Sequence, residues 1–296
     1  MIGEILALSA ALCYAVSAVL YKRALRNIRY LPANLVRTVF ATLLLLAILP
    51  ATQYHSSTIT FDQLALIVIG SVFNLAIGDT LYFVGLKKIG ISRTQPISSS
   101  YPLYSMLLAA MILNEGLTFA VAIGTPLVVV GIALVSLTKN EKNNIALNSG
   151  ATHLGVTSSI IAAVSWSIGL TVIKMALNDP NVDPIFATFI SRTAALPFLL
   201  FAVVAAGESN QIRKLTRVDV TILAAGGMLA IGLGGILLFS SLALIDASRA
   251  IPLSSTTPLF SLVLASIYSG EKVGTRIVVG TILIVTGIIL VTFYAQ

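Results

Sequence analysis

Residues 92–115 read SRTQPISSSYPLYSMLLAAMILNE, and residues 248–271 read SRAIPLSSTTPLFSLVLASIYSGE. A shift of 156 positions aligns the two stretches and makes 11 of their 24 residues identical. The identical residues include serines, an arginine, prolines and a closing glutamate, in the same order in both stretches. Similarity this dense between two parts of one chain indicates an internal duplication.

The duplication extends well beyond these stretches. Residues 78–135 and 234–291 align without a gap and are identical at 24 of 58 positions. Earlier segments align with small shifts, so that Arg37 corresponds to Arg192 and Tyr14 to Trp166. We call two such corresponding residues mates. The sequence therefore predicts a first repeat over residues 1–137, a polar linker over 138–154 and a second repeat over 155–296.

The composition excludes a water-soluble globular protein. Hydrophobic residues make up 57% of the chain and charged residues 10%, whereas soluble domains carry about 25% charge. A helix needs about 20 apolar residues to span a bilayer, and backbone in lipid must be hydrogen-bonded internally. Ten apolar runs meet this need, at residues 3–22, 33–50, 64–84, 94–113, 118–137, 155–174, 185–206, 219–242, 250–269 and 275–294. We expect an all-α integral membrane protein with ten transmembrane helices.

Five spans per repeat determine how the repeats are related. Because the number is odd, the second repeat enters the membrane from the opposite side, which predicts two inverted five-helix repeats, as in many secondary transporters. The loops after spans 1, 3, 5, 7 and 9 hold fourteen Lys and Arg residues, and the other side holds only Lys174 and Arg249. The positive-inside rule then places both termini outside the cell. The net charge of +7 is explained by this topology, so no nucleic-acid partner is expected.

Spans 4 and 9 supply the first site candidates. A proline deep in a helix deprives the carbonyl four residues earlier of its donor and bends the helix. Free carbonyls beside serines offer polar groups at membrane depth, where they line a cavity or pack against protein. The same serines could simply satisfy the bent backbone. The candidates are Ser98, Ser99 and Pro102 in span 4, and Ser254, Ser255 and Pro258 in span 9.

Aromatic and charged residues inside the spans supply the others. Tyr14 and Trp166 lie near the middle of spans 1 and 6, where they fill core volume or stack on a ligand. Arg37 and Arg192 lie early in spans 2 and 7, and an arginine there either snorkels or binds a partner. Asp79 in span 3 is the acidic residue within a span, a candidate for carrying a proton or pairing with an arginine.

Two further sets of residues are interpreted as structural. Glu115 and Glu271 close spans 4 and 9, where each carboxylate is expected to cap the N-terminus of the next helix. Glycines spaced by seven on spans 5 and 10 predict close helix packing; they are Gly124, Gly131, Gly280 and Gly287.

These features together resemble the EamA-like branch of the drug/metabolite transporter superfamily. The resemblance rests on Lys22 and Lys174 ending spans 1 and 6, the early arginines of spans 2 and 7, the Ser-Arg-x-x-Pro entry to spans 4 and 9, and the closing Glu271. It implies a secondary transporter, often an exporter of small metabolites or amino acids, with a central cavity between spans 1–4 and 6–9. By that resemblance the cavity candidates are Tyr14, Arg37, Ser98, Ser99, Pro102, Trp166, Arg192, Ser254, Ser255 and Pro258.

The chain departs from the related proteins in two respects. Related small multidrug transporters keep a glutamate inside the first span, whereas this chain has only Glu4 at its edge, which argues against antiport of cationic drugs. Family members are generally drawn with both termini in the cytoplasm, opposite to the charge count.

The sequence leaves three functions open: alternating-access transport of a small solute, a lipid flippase or accessory subunit, and a lipid-modifying enzyme. The enzyme is disfavoured because His55 and His153 lie in loops, Cys13 is the single cysteine and no acidic pair shares a span. No cofactor and no metal are expected. The expected partners are the lipid bilayer, a small-molecule substrate and protons, for a protein of the plasma membrane that could act as a monomer.

Overall fold

The computed structural model describes residues 1–24, 28–52, 59–89, 94, 97–136, 149–257, 259–260, 264 and 275–293. Within these ranges the chain is helical and contains no strand. The first repeat provides α1 (Ile2–Ala24), α2 (Tyr30–Ile48), α3 (Phe61–Ser71), α4 (Asp79–Ile89), α5 (Tyr101–Ile112) and α6 (Phe119–Ser136). The second provides α7 (Ser149–Leu177), α8 (Pro184–Ala205), α9 (Ser209–Arg213), α10 (Arg217–Gly227), α11 (Gly235–Leu244), α12 (Ala247–Ser254) and α13 (Thr275–Phe293).

Several of these helices can cross a membrane. Five helical stretches among the described residues are long and apolar enough, namely Tyr30–Ala51, Phe61–Gly85, His153–Leu177, Pro184–Ala205 and Arg217–Leu244. Shorter apolar helices cover Ile2–Ser17, Tyr101–Ile112, Phe119–Leu134 and Val278–Phe293. The all-helical membrane protein expected from composition is therefore present, while the count of ten spans stays a prediction.

Two π-helical segments interrupt corresponding helices. The segment Val72–Gly78 joins α3 to α4, and Met228–Gly234 joins α10 to α11. The shift of 156 that aligns the repeats carries one segment onto the other. Short π segments inside α-helices occur frequently at functional sites.

Each π segment ends in a glycine that allows an aromatic ring to approach. A Cβ on Gly78 would lie 2.4 Å from Cδ1 of Trp166, and one on Gly234 would lie 2.7 Å from Cε1 of Tyr14. Since the two aromatic residues are mates and the two glycines are mates, the same contact is made twice, each time between different repeats.

The other helix contacts also join one repeat to the other. Helix α1 packs against α10, α11 and α12 of the second repeat, and α7 packs against α3, α4 and α5 of the first. Helix α2 packs against α8, and α6 against α13. Most of the large interfaces therefore join one repeat to the other.

The glycine prediction for spans 5 and 10 is confirmed. A Cβ on Gly131 would meet the carbonyl oxygen of Gly280 at 2.6 Å, and one on Gly124 would meet that of Gly287 at 2.9 Å. The backbones of α6 and α13 touch at these positions, which no larger side chain would permit.

The expectation for Glu115 is wrong about the helix that it caps. Its two carboxylate oxygens accept hydrogen bonds from the backbone N–H groups of Ala247 (2.8 Å) and Ser248 (2.9 Å). These groups open α12 of the second repeat, whereas α6 is the helix that follows Glu115 in the chain. This tertiary contact is favourable because the carboxylate accepts hydrogen bonds from two backbone N–H groups that have no partner within their own helix. Glu271 lies outside the described residues.

Two more charged contacts hold the same end of the bundle. Lys174 is buried and its Nζ donates to the carbonyls of Leu242 (2.5 Å) and Ile245 (3.1 Å) at the end of α11. Arg249 of α12 forms an ion pair with Glu4 of α1. These contacts tie α1, α5, α7, α11 and α12 together where α1 begins.

Candidate functional site

A cavity of about 340 Å³ lies between the two repeats. The first repeat contributes six of its lining residues, which are Tyr14, Arg37, Asn74, Leu75, Asp79 and Tyr101. The second contributes Trp166, Leu170, Arg192, Ala230, Ile231, Leu238 and Phe239. Several are mates, since Asn74 and Leu75 correspond to Ala230 and Ile231 in the two π segments.

Asp79 binds groups from both repeats in this cavity. Its Oδ2 accepts a hydrogen bond from Nη2 of Arg37 at 2.9 Å, and its Oδ1 accepts one from Nε1 of Trp166 at 3.0 Å. Arg37 also donates from Nε to Oδ1 of Asn34 at 2.7 Å. Arg37 is therefore held by a carboxylate and an amide, and its charge is balanced by Asp79.

Arg192 has different surroundings. The residue is 5% exposed, and its Nε donates to the carbonyl of Ile231 in the second π segment at 3.2 Å. Its Nη1 donates to Oγ of Ser191 at 3.2 Å, and its Cζ lies 5.2 Å from the centre of the Phe239 ring. Among the described residues, no carboxylate lies within ion-pair distance of this guanidinium.

Aromatic rings form much of the remaining wall. Trp166 packs at 5.3 Å from the ring of Tyr82 and edge-on at 5.8 Å from that of Tyr101. The hydroxyl of Tyr14 donates to the carbonyl of Gly234 at 3.2 Å. Such rings offer apolar surface together with polarised edges and faces. The cavity can therefore hold a small solute with both an apolar and a charged part.

The structure brings some of the predicted site residues together and leaves others aside. Tyr14, Arg37, Asp79, Trp166 and Arg192 all line the cavity. Neither arginine snorkels to a helix end, because both turn inward to the partners described above. Pro258 lies outside the described residues, and the remaining candidates, which are not among the lining residues, are Ser98, Ser99, Pro102, Ser254 and Ser255.

Those serines and the proline lie in the helix breaks next to the cavity. The chain leaves helical geometry just before Tyr101, and Pro102 falls in the first turn of α5. Ser98 donates to the carbonyl of Thr94 at 2.9 Å, and Ser254 donates to that of Ile251 at 2.9 Å. These hydroxyls thus donate to their own backbone, and their part in binding a solute stays a prediction.

Sequence reasoning missed eight of the thirteen lining residues, and the polar and aromatic ones among the eight are Asn74, Tyr101 and Phe239. Asn74 is a polar residue in the middle of an apolar run, and that was an available signal. Phe239 and Phe83 are identical mates, yet only Phe239 lines this cavity. Tyr101 precedes Pro102, and nothing in its sequence context distinguishes it from a core aromatic.

No group of three or more His, Cys, Asp or Glu side chains in the described part of the chain could hold a metal ion. The charged groups of the cavity are instead suited to binding a polar solute, because each is fixed by hydrogen bonds at membrane depth.

Comparisons with known proteins agree with this architecture. The model of the EamA-like transporter family matches residues 1–137 and residues 153–293. An uncharacterized transporter of Archaeoglobus fulgidus is 26% identical over 291 residues, which cover 98% of each chain. The uncharacterized transporter YvbV of Bacillus subtilis is 24% identical over 84% of this chain and 78% of its own length. A solved crystal structure with 17% sequence identity superimposes with a TM-score of 0.79 over 99% of this chain and 97% of the other, which shows a shared fold.

Proposed function

This chain belongs to the EamA-like transporter family, and from that premise we propose that it exports a small metabolite or amino acid by alternating access. In this proposal ten transmembrane helices form two inverted five-helix repeats. The solute binds between the repeats near the middle of the membrane, and rocking of one repeat against the other exposes the site to each side in turn.

The observation that carries the proposal is the position of the cavity. Several of its lining residues are mates drawn from both repeats, and both π segments contribute to the lining. A site on the axis between two repeats is reached from either side by equal and opposite movements. Helix α1 packs against helices of the second repeat and α7 against helices of the first, which supports the same relationship between the repeats.

Helix packing alone does not explain the charged residues of the cavity. An ionisable side chain at membrane depth costs several kcal/mol or more, and such residues mark substrate or ion pathways. Three of them, Arg37, Asp79 and Arg192, converge on one cavity from separate helices. A purely structural bundle would not need them there.

Reconstitution into liposomes tests the proposal. Purified protein should exchange at least one solute from a panel of labelled amino acids and small metabolites. Tyr14→Ala should reduce that exchange because it removes a cavity wall, whereas Thr157→Ala, on the exposed surface of α7, should not. Folded protein that moves none of the solutes, or that moves only labelled lipid, would contradict the proposal.

The direction of transport is measured in cells. Overproduction should lower the intracellular level of the solute identified in liposomes and raise its level in the medium. Accumulation inside the cells instead would overturn the exporter assignment and leave alternating access standing.

A further inference from the structure

The two arginines of the cavity are mates with unequal partners. In the first repeat Arg37 pairs with Asp79 at 2.9 Å. The mate of Asp79 in the second repeat is Gly235. The duplication therefore placed an arginine in both halves of the cavity but a carboxylate in only one.

Gly235 lies where a carboxylate would reach Arg192. A Cβ added to Gly235 would be 2.6 Å from Nη2 of Arg192. A side chain at position 235 would thus press against the guanidinium, and the glycine leaves room for it. The glycine therefore lets the guanidinium pack against α11, and Arg192 lines the cavity from this position.

The guanidinium of Arg192 also keeps unused donors. Arginine carries five N–H donors in a planar fork, and two atoms of Arg192, Nε and Nη1, donate to Ile231 and Ser191. Within the described residues Nη2 donates to no acceptor. The contacts to Ile231, Ser191 and Phe239 hold the guanidinium in place without neutralising it, so the binding geometry is preorganised.

The charge of the cavity points to an anionic group. The ionisable side chains among its lining residues that are charged at neutral pH are Arg37, Asp79 and Arg192, which leaves one positive charge uncompensated. Burying such a charge is costly unless a partner arrives. An arginine fork binds a carboxylate through two parallel N–H···O bonds.

We propose that Arg192 binds the carboxylate of the transported solute in the cavity that it lines. The proposal rests on the proposed transport function and names its substrate class as carboxylates. The carboxylate belongs either to a zwitterionic amino acid or to an organic acid. Aromatic rings from Tyr14, Tyr101 and Phe239 surround the apolar part of the solute.

The tryptophan of the cavity reports binding directly. Trp166 is the single tryptophan of the chain and lines the cavity. Its emission can be measured in detergent while the full-length protein is titrated with leucine, phenylalanine, glutamate, isocaproate and succinate, each beside its amide. Leucine and isocaproate share a carbon skeleton and differ by the ammonium group, so they distinguish the two sources of carboxylate.

The key variants change the charge next to Arg192 without removing the arginine. Gly235→Asp supplies an internal carboxylate, and Gly235→Asn is a control of nearly the same size without the charge. We expect at least one carboxylate, and not its amide, to change the emission in a saturable way. Gly235→Asp should weaken that binding on the order of ten- to a hundredfold, the range expected for a hydrogen bond to a charged group, whereas Gly235→Asn should weaken it much less.

A second pair of variants keeps the test decisive if the changes at Gly235 prevent folding. Arg192→Gln should lose binding to the same extent as Gly235→Asp, and Arg192→Lys should retain part of it because the charge remains. The proposal is overturned if no carboxylate of the panel binds, if amides bind as tightly, or if Gly235→Asp behaves like Gly235→Asn. Carboxylate binding without transport in liposomes would instead overturn the transport function alone, and transport of a solute without a carboxylate would overturn this inference alone.

Discussion

Asp79 accepts hydrogen bonds from Arg37 of the first repeat and Trp166 of the second. A single proton on this carboxylate would remove the charge that holds Arg37 and weaken the bond to Trp166. One protonation event would thus loosen contacts within and between the repeats. Such coupling is what a proton-driven transporter requires at its central site.

The first prediction concerns this proton. Asp79→Asn keeps an acceptor for Trp166 but removes the charge, so it resembles the protonated state permanently. We expect solute uptake driven by a pH gradient to be lost in liposomes, while exchange without a gradient persists. Asp62→Asn, a matched change at an exposed carboxylate in the first turn of α3, should behave like the wild type. Undiminished pH-driven uptake by Asp79→Asn would show that the proton is carried elsewhere.

The sequence identified the charged residues of the site because charge in an apolar run is conspicuous. Arg37, Asp79 and Arg192 could each be chosen as functional, but their pairing could not. Which arginine Asp79 binds depends on how helices cross in space, and α4 reaches α2 rather than α8 at that level. The alignment of the repeats already showed that Asp79 and Gly235 are mates. Only the structure showed that Gly235 lies beside Arg192.

At the level of the helices, the π segments are the least predictable feature. A π turn uses i→i+5 hydrogen bonds and is less favourable than an α turn, so it persists only where packing holds it. Nothing in the apolar run 64–84 distinguishes Val72–Gly78 from the helix around it. The breaks before Tyr101 and after Ser254 were more accessible, because prolines stand beside them.

The second prediction follows from that geometry. Backbone amides of Val72–Gly78 and Met228–Gly234 should exchange hydrogen for deuterium faster than those of α7, since π turns are weaker and both segments face the cavity. Mass spectrometry of the protein in detergent measures the exchange by peptide. Saturating solute should slow it in both segments. Equal exchange in the π segments and α7 would indicate that these segments are as stable as the surrounding helices.

The third prediction concerns the pair formed by α6 and α13. Gly131→Val should destabilise the protein by about 1–3 kcal/mol, the usual cost of overpacking, because its Cβ would meet backbone atoms of Gly280 and Ile284 within 3 Å. A lower midpoint of thermal unfolding measures the loss. Gly116→Ala is the control, since a Cβ there meets nothing within 4 Å. A wild-type midpoint for Gly131→Val would contradict the close approach of the two helices.

For the whole molecule, charged contacts join helices at both ends of the bundle. Glu115, Lys174 and the Glu4–Arg249 pair join helices at the end where α1 begins. At the other end Arg29, before α2, forms an ion pair with Glu208, after α8, at 3.0 Å. A transporter that alternates must break the contacts at one end whenever it opens there. The contacts at each end therefore stabilise the states that are closed at that end.

The last prediction concerns the compartment that the N-terminal side of the bundle faces. Lys and Arg residues in short loops are retained in the cytoplasm during insertion, so we expect the loop between α7 and α8 to lie outside the cell. In a Cys13→Ser background, Asn178→Cys should react with a membrane-impermeant maleimide on intact cells. Lys214→Cys, in the loop between α9 and α10, should react only after the cells are permeabilised.

Both positions are exposed, so both cysteines should react in solubilised protein, which controls for access of the reagent. The reverse pattern on intact cells would place both termini in the cytoplasm, as family members are generally drawn. The Glu115 and Lys174 contacts would then lie at the cytoplasmic end, and the pair of Arg29 and Glu208 at the outer end. The labelling pattern thus decides which set of contacts must break for the cavity to open to the cytoplasm and which for it to open to the outside.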